Sequence, residues 1–295
     1  MSHFEIFTDG AADIPLDIAK SKNINVIPFY VSFDSDTYLK ELEELSLDMF
    51  YKKMLVDGLF PKTSLPSVHD YIDAFTPALE NGKDVLCFTI THTLSGSVQS
   101  ARAAADILNE KYSSHIYVID SFLATGAQRL LIYEAERMRD AGFESSRAYE
   151  LCKKCISTGR IIFMVGSLAH LEKGGRVGKL AALSGGILKI KPLIILANAE
   201  INVGGIARSR KNGLKKLADL TKDYFIKNKQ FPPDYNFIVG TTNCWEEVPD
   251  FEEVLCDTIV PCDKLSKAYQ IGATISTHTG PFTTGICFVK RFENL

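Results

Sequence analysis

The feature that most restricts the fold is an alternation of apolar, strand-like runs with helical segments through the first half of the chain. Residues 4–8, 24–31, 84–90 and 115–120 read as strands. Segments of helical period lie between and after them, at 15–22, 46–56, 67–79, 98–105, 126–139 and 144–157, before a strand at 161–165. Strands that run the same way need helical crossovers, so this order predicts a parallel sheet covered on both faces. Ligands of such sheets bind beyond the carboxyl ends of the strands. The loops at Asp9, Ser95 and Ser121 are expected along that edge.

Residues 31–45 interrupt the alternation as a small hairpin turning at Asp34-Ser35-Asp36, and the second half follows a different pattern. Gly174-Gly175-Arg176 and Ser184-Gly185-Gly186 punctuate a short helical stretch, and residues 187–197 and 201–207 flank a turn at Asn198-Ala199-Glu200. A helix at 211–227, a break at Pro232-Pro233, a strand at 235–241 and a helix at 246–257 lead to a mixed terminal region closing in a strand at 285–290. The expected class is α/β in two domains, a parallel α/β domain of residues 1–160 and an α+β domain of residues 161–295.

The chain has 295 residues and a formal charge of −3, so no global basic surface recommends nucleic acid or an anionic membrane. Its apolar runs are too short to span a bilayer, and Met1-Ser2-His3-Phe4-Glu5 lacks the features of a signal peptide. Seven cysteines in mostly apolar contexts read as free thiols in a reducing compartment, which points to the cytoplasm.

The Ser95 loop carries the most chemistry. Thr91-His92-Thr93-Leu94-Ser95-Gly96-Ser97 joins the end of a buried strand to the start of a helix. Unpartnered N–H groups and the helix dipole suit an anion there. The loop holds no lysine or arginine, which argues for a less charged anion than a triphosphate. In Thr63-Ser64-Leu65-Pro66-Ser67, Ser67 reads as a helix cap and Thr63-Ser64 as a turn. His278, in a polar turn at Ser276-Thr277-His278-Thr279-Gly280-Pro281, has two readings, a plain turn histidine or a group that orients a hydroxyl or carboxylate. His92 has the same two.

Other motifs fail in detail. Lys173-Gly174-Gly175-Arg176-Val177-Gly178-Lys179 lacks the spacing of a phosphate loop, and Leu180 stands where a magnesium-holding Ser or Thr belongs. Its basic residues are expected to form an exposed docking point for an acidic partner, or a solvated loop. Cys152-Lys153-Lys154-Cys155 lies late in a helix, the wrong place for a redox pair. No metal or cofactor motif is present in the sequence. The alternative enzymatic reading is a small-molecule esterase with Ser95 as nucleophile and His278 as base. Thr93 replaces the glycine of a nucleophile elbow, and no acid to orient His278 can be picked out.

Taken in order, six segments resemble the DegV family of bacterial lipid-binding proteins. They are Thr8-Asp9-Gly10-Ala11-Ala12-Asp13-Ile14-Pro15, Thr63-Ser64-Leu65-Pro66-Ser67, Leu94-Ser95-Gly96-Ser97-Val98-Gln99-Ser100-Ala101, Leu171-Glu172-Lys173-Gly174-Gly175-Arg176-Val177, Ile187-Leu188-Lys189-Ile190-Lys191-Pro192 and Thr277-His278-Thr279-Gly280-Pro281. The resemblance implies a long-chain fatty acid in an interdomain tunnel, carried by a non-enzymatic subunit. A separate ATP-binding kinase subunit would phosphorylate the carboxylate to acyl phosphate. By the same resemblance Thr63, Ser95 and His278 bind the carboxylate, Ser64, Gly96 and Thr277 support the loops, and Arg176 lies near the kinase-facing surface. Membrane contact would be transient, for lipid exchange.

The chain departs from the family pattern at Gly10, where serine is common, at His170, where an aromatic is common, and at Phe282, where a glycine follows the Gly-Pro pair. Phe282 is expected to narrow the tunnel mouth or reshape the loop of His278. Because neither hydroxyl segment contains a cation, the carboxylate is expected in a cradle of neutral hydroxyls and N–H groups, free to attack a phosphoryl donor.

Overall fold

A computed structural model describes residues 4–34, 36–183 and 190–295. The expected features at Ser35, Ser184-Gly185-Gly186, Ile187-Leu188-Lys189 and the first three residues lie outside the described residues. The chain order is β1 (Phe4–Asp9), α1 (Leu16–Ser21), β2 (Ile24–Ile27), β3 (Tyr30–Ser32), β4 (Leu39–Lys40), α2 (Leu47–Leu55), β5 (Lys62–Ser64), α3 (Val68–Glu80), β6 (Asp84–Thr89), α4 (Ser97–Asn109) and β7 (Ile116–Asp120). It continues with α5 (Thr125–Asp140), α6 (Ser145–Ile156), β8 (Arg160–Met164), α7 (Ala169–Lys173), β9 (Lys191–Ala197), β10 (Glu200–Ala207) and α8 (Arg210–Lys227). The last elements are β11 (Tyr235–Thr241), α9 (Val248–Thr258), β12 (Leu265–Gln270), α10 (Ala273–Thr279) and β13 (Thr284–Lys290).

The strand–helix alternation does build a parallel sheet, in the order β2-β1-β6-β7. The run expected as one strand over 24–31 is two. Pro28 cannot donate to a ladder, so the chain leaves the parallel sheet there and re-enters as β3 of a separate antiparallel sheet, β4-β3-β5. The second half forms a mixed sheet, β10-β9-β8-β13-β11-β12, whose first strand in the chain begins at Arg160. The terminal region, expected only as mixed, supplies its edge strand β12 and the short helix α10.

Five layers result. Helices α3 and α4 cover one face of the parallel sheet, with Phe7, Tyr71 and Phe75 in the seam. Helices α5 and α6 cover its other face and also pack on the six-stranded sheet, whose far face carries α8 and α9. Helix α5 is buried on nearly every side, so one core runs from Phe4 and Phe88 through Leu130 and Cys152 to Phe163 and Tyr269. Cys152 and Cys155 are both buried in it, and burial raises both thiols, as structural cysteines require.

The small sheet and α2 form a flap over α10. The Tyr51 hydroxyl donates to the Ile271 carbonyl at 2.8 Å and lies 2.7 Å from Ser276 Oγ. Helix α3 starts as its sequence signals: Ser67 accepts from the Asp70 N–H while the Asp70 carboxylate accepts from the Ser67 N–H. That cap ends the Thr63–Ser67 segment in a fixed position.

Candidate ligand cavity and its polar mouth

A cavity of about 240 Å³ lies between the two larger sheets and under α10. Most of its wall is apolar, with Phe29, Ile90, Phe163, Leu196 and Ile275 among the lining side chains. Thr63, Ser64, Ser95, Arg176 and His278 cluster as its polar mouth, and Thr125, Tyr269, Thr274, Thr279 and Thr283 also line the cavity. Four segments far apart in the chain meet there: the loop after β6 of the parallel sheet, β5 of the small sheet, the turn after α7, and α10.

Thr63 is held by β5, where it pairs with Val31 of β3, and its Oγ1 lies 2.9 Å from His278 Nε2. Ser95 Oγ accepts from the Ser97 N–H at 3.3 Å. Gly96 has an ordinary negative φ, and its value is space: a Cβ there would meet the Leu65 side chain at 3.2 Å, so glycine lets the two loops touch. Ser64 is exposed at the rim. Thr277 supports from within its own helix, its hydroxyl donating to the Ala273 carbonyl and its carbonyl lying 3.1 Å from His170 Nδ1.

His278 sits in α10 and is largely buried, where a polar turn was expected. Burial first, then the charges of Arg176 and His170, lower its pKa to about 4, so the imidazole is neutral at physiological pH. Among the described residues Nδ1 has no hydrogen-bond partner, and it faces Gly174, where a Cβ would stand 2.2 Å away. Among the described residues the esterase constellation is not assembled: Nε2 meets Thr63 and Nδ1 meets no carboxylate.

Arg176 departs from expectation. It is half-buried, on the cavity wall, and Nε donates to the Leu94 carbonyl at 3.1 Å while Nη1 donates to the Gly174 carbonyl. The two hydroxyl segments lack cations, but the fold adds a guanidinium to their mouth, so the cradle is not neutral. Among the described residues Arg176 is the only lysine or arginine on the wall. Phe282 also departs from expectation. It is 46% exposed, is absent from the wall and packs its Cβ against Gly166, so it does not narrow the mouth. His170 takes the role of an aromatic by stacking on Phe60 with ring centroids 4.7 Å apart.

Sequence reasoning missed what anchors these loops. Asp9, fully buried at the end of β1, accepts from the Ile90 N–H at 2.9 Å, from Ser97 Oγ at 2.7 Å and from Gln128 Nε2 at 2.9 Å. It thereby grips both ends of the Ser95 loop. Burial raises its pKa to about 6. Glu41, also buried, accepts from the N–H groups of Phe29 and Thr274, tying the flap to α10, and burial raises it to about 7. Its Oε1 lies 2.0 Å from where a Cβ on Gly10 would be, which explains the glycine at that position. The signal for Asp9 was its place at a strand end; nothing local marks Glu41.

No helix among the described residues is long and apolar enough to cross a membrane. Comparison with known proteins gives a consistent result. A family model described as "Uncharacterised protein, DegV family" matches residues 3–291. A DegV domain-containing protein of Clostridium perfringens is 30% identical over 292 residues, covering 98% of each chain. A stearic acid-binding protein from Eubacterium ventriosum superposes with a TM-score of 0.92 at 35% identity, covering 99% of this chain and 100% of that one. DegV from Bacillus subtilis, a fatty acid binding protein, gives 0.83 at 27% identity, with 98% and 100% covered. A DegV family protein from Thermus thermophilus, solved for fatty acid binding, gives 0.86 at 25% identity, with 98% and 99% covered.

Proposed function

Since this chain belongs to the DegV family, we propose that it binds a long-chain fatty acid in the cavity and holds the carboxylate at the Thr63–Ser95–His278 mouth. The observation that carries this reading is a mostly apolar wall on which Thr63, Ser95, Arg176 and His278 cluster. A chain of about fifteen methylenes gains roughly 12 kcal/mol on burial. Association and ordering consume on the order of 4–15 kcal/mol, so the carboxylate contacts decide the affinity.

At the mouth, the Thr63 and Ser95 hydroxyls donate to the carboxylate. Thr63 then accepts from His278, which assigns the imidazole proton to Nε2 and leaves the Nδ1 lone pair against Gly174. Arg176 supplies the opposing charge. The finer reading is that the protein is a cytoplasmic carrier, without activity of its own, that presents the acid to an ATP-binding kinase subunit. A carboxylate oxygen attacks the γ-phosphorus of ATP, acyl phosphate forms and ADP leaves. The exposed rim at Ser64 supports access from that side.

Native mass spectrometry of the purified protein, with lipid extraction, tests the binding. A bound mass in the fatty-acid range is expected, or uptake of added palmitic or oleic acid by delipidated protein. Ser95→Ala should weaken retention about ten- to hundredfold, the loss of one hydrogen bond to a charged group. Protein that neither holds nor takes up fatty acid overturns the proposal. Lipid-loaded protein that gives no acyl phosphate with any ATP-dependent acyl kinase of the same cell overturns the carrier role alone.

A further inference from the structure

The floor of the cavity contains four register partners across the six-stranded sheet: Phe163 on β8, Gly285 on β13, Gly240 on β11 and Tyr269 on β12. Two glycines therefore lie between two aromatic residues, and all four line the cavity. The Tyr269 ring occupies the space the sheet leaves open at Gly240. A Cβ on Gly240 would stand 2.7 Å from its Cζ, and one on Gly126 of α5 would stand 2.6 Å from its hydroxyl oxygen.

The ring is also fixed. The Gly126 N–H donates to the Tyr269 hydroxyl at 2.7 Å, that hydroxyl donates to Thr125 Oγ1, and Thr125 donates to the Asp13 carboxylate. The Arg129 guanidinium covers the ring at 4.2 Å from its centroid. A side chain tied at its tip and covered on its face does not swing aside to admit more ligand. His278, Ile275, Thr274 and Ile271 line the cavity along α10 and the turn before it, and Tyr269 lies two residues before that turn at the end of β12.

We propose that Tyr269 is the size-limiting wall of the cavity and sets the upper bulk of the acyl chain it accepts. The inference rests on the fatty-acid reading of the same cavity, and its test separates the two. The assay is displacement of a fluorescent fatty acid by the saturated series from lauric to behenic acid, with a methyl-branched acid alongside. Tyr269→Leu removes the ring and opens the space over Gly240. The longest and the branched acids should then bind more tightly relative to wild type, about fourfold for each methylene newly accommodated. The shortest acids should be unchanged or weaker. Tyr269→Phe keeps the ring and deletes only the hydroxyl, so it should keep the wild-type ranking.

An unchanged ranking in Tyr269→Leu overturns the proposal. So does a Tyr269→Phe profile shifted as far as that of Tyr269→Leu, because the effect would then travel through Thr125 and Asp13. Should Tyr269→Leu fail to fold, Cys287→Leu adds bulk on the same stretch of wall and must shift the ranking toward shorter acids. Wild-type protein that binds none of the series instead removes the fatty-acid reading itself.

Discussion

Replacing Gly174 with alanine should damage the polar mouth while leaving the fold as stable as before. Gly174 caps α7 at φ −77° and ψ −8°, a conformation alanine adopts freely. Space is the obstacle, because a Cβ would lie 2.2 Å from His278 Nδ1 and ordinary contact begins at 3.4 Å. The imidazole has to retreat by about 1.2 Å, the difference between those two distances. Thr63 lies at the Nε2 side of the ring, 2.9 Å away in the intact protein, so a ring pushed from its Nδ1 side must turn aside and cannot keep that hydrogen bond's geometry. A lost hydrogen bond of about 1–1.5 kcal/mol weakens fatty-acid binding about five- to twelvefold. Meanwhile alanine restricts the unfolded chain, a gain of about 0.4–1 kcal/mol that offsets the crowding. The check is a displacement titration beside a thermal melt of the lipid-free protein. A second-site His278→Ala closes the cycle, since in that background Gly174→Ala should cost almost nothing further. Binding equal to wild type, or a penalty that persists without His278, would refute the assigned contact.

Two further outcomes are expected. Arg176→Glu places a carboxylate where a guanidinium bridges Leu94 and Gly174, and should weaken fatty-acid retention more than about tenfold. Retention at the wild-type level, measured by lipid extraction, would return Arg176 to a purely partner-facing role. Glu41 and Asp13 are both raised by burial to about 7, from ordinary values of 4.5 and 3.8. The folded protein thus binds more protons than the unfolded chain between those limits. Their stability contribution is full below about pH 4 and is lost as the pH rises through about 7. Thermal melts should show stability declining toward alkaline pH, less steeply in Glu41→Gln; parallel profiles for the two proteins would refute it.

The parts of the fold that repeat a period were legible in the sequence. The parallel strands, the capped start of α3 and the long helix α5 emerge from residue order alone because each is dictated locally. Helix α10 was not, for a physical reason. Thr274, Ile275, Ser276, Thr277 and Thr279 are weak helix formers, and the helix exists because Tyr51 and Glu41 hold it from the flap. The hydroxyls of the mouth could be picked out because they fall in loops at a strand edge or within family motifs. Arg176 was misplaced because its partners are backbone carbonyls, which no side-chain pattern announces. Glu41 stands beside Glu43 and Glu44 with nothing in its neighbours to single it out; only the missing Cβ of Gly10 gives it room.

The position of α5 bears on how a ligand could get in and out. A helix that packs on both large sheets fastens the two halves of the chain together as an axle fastens two wheels. Swinging the halves apart would drag Leu130, Leu131 and their neighbours into water, at about 25 cal/mol for each square ångström exposed. Lifting the flap asks for much less. It carries Thr63, rests on α10 through Tyr51, Glu41, Thr63 and an apolar cluster around Ala273, and forms a sheet separate from the two large ones. A hatch therefore opens at less cost than a hinge, and the hatch bears Thr63, one of the hydroxyls of the cavity mouth.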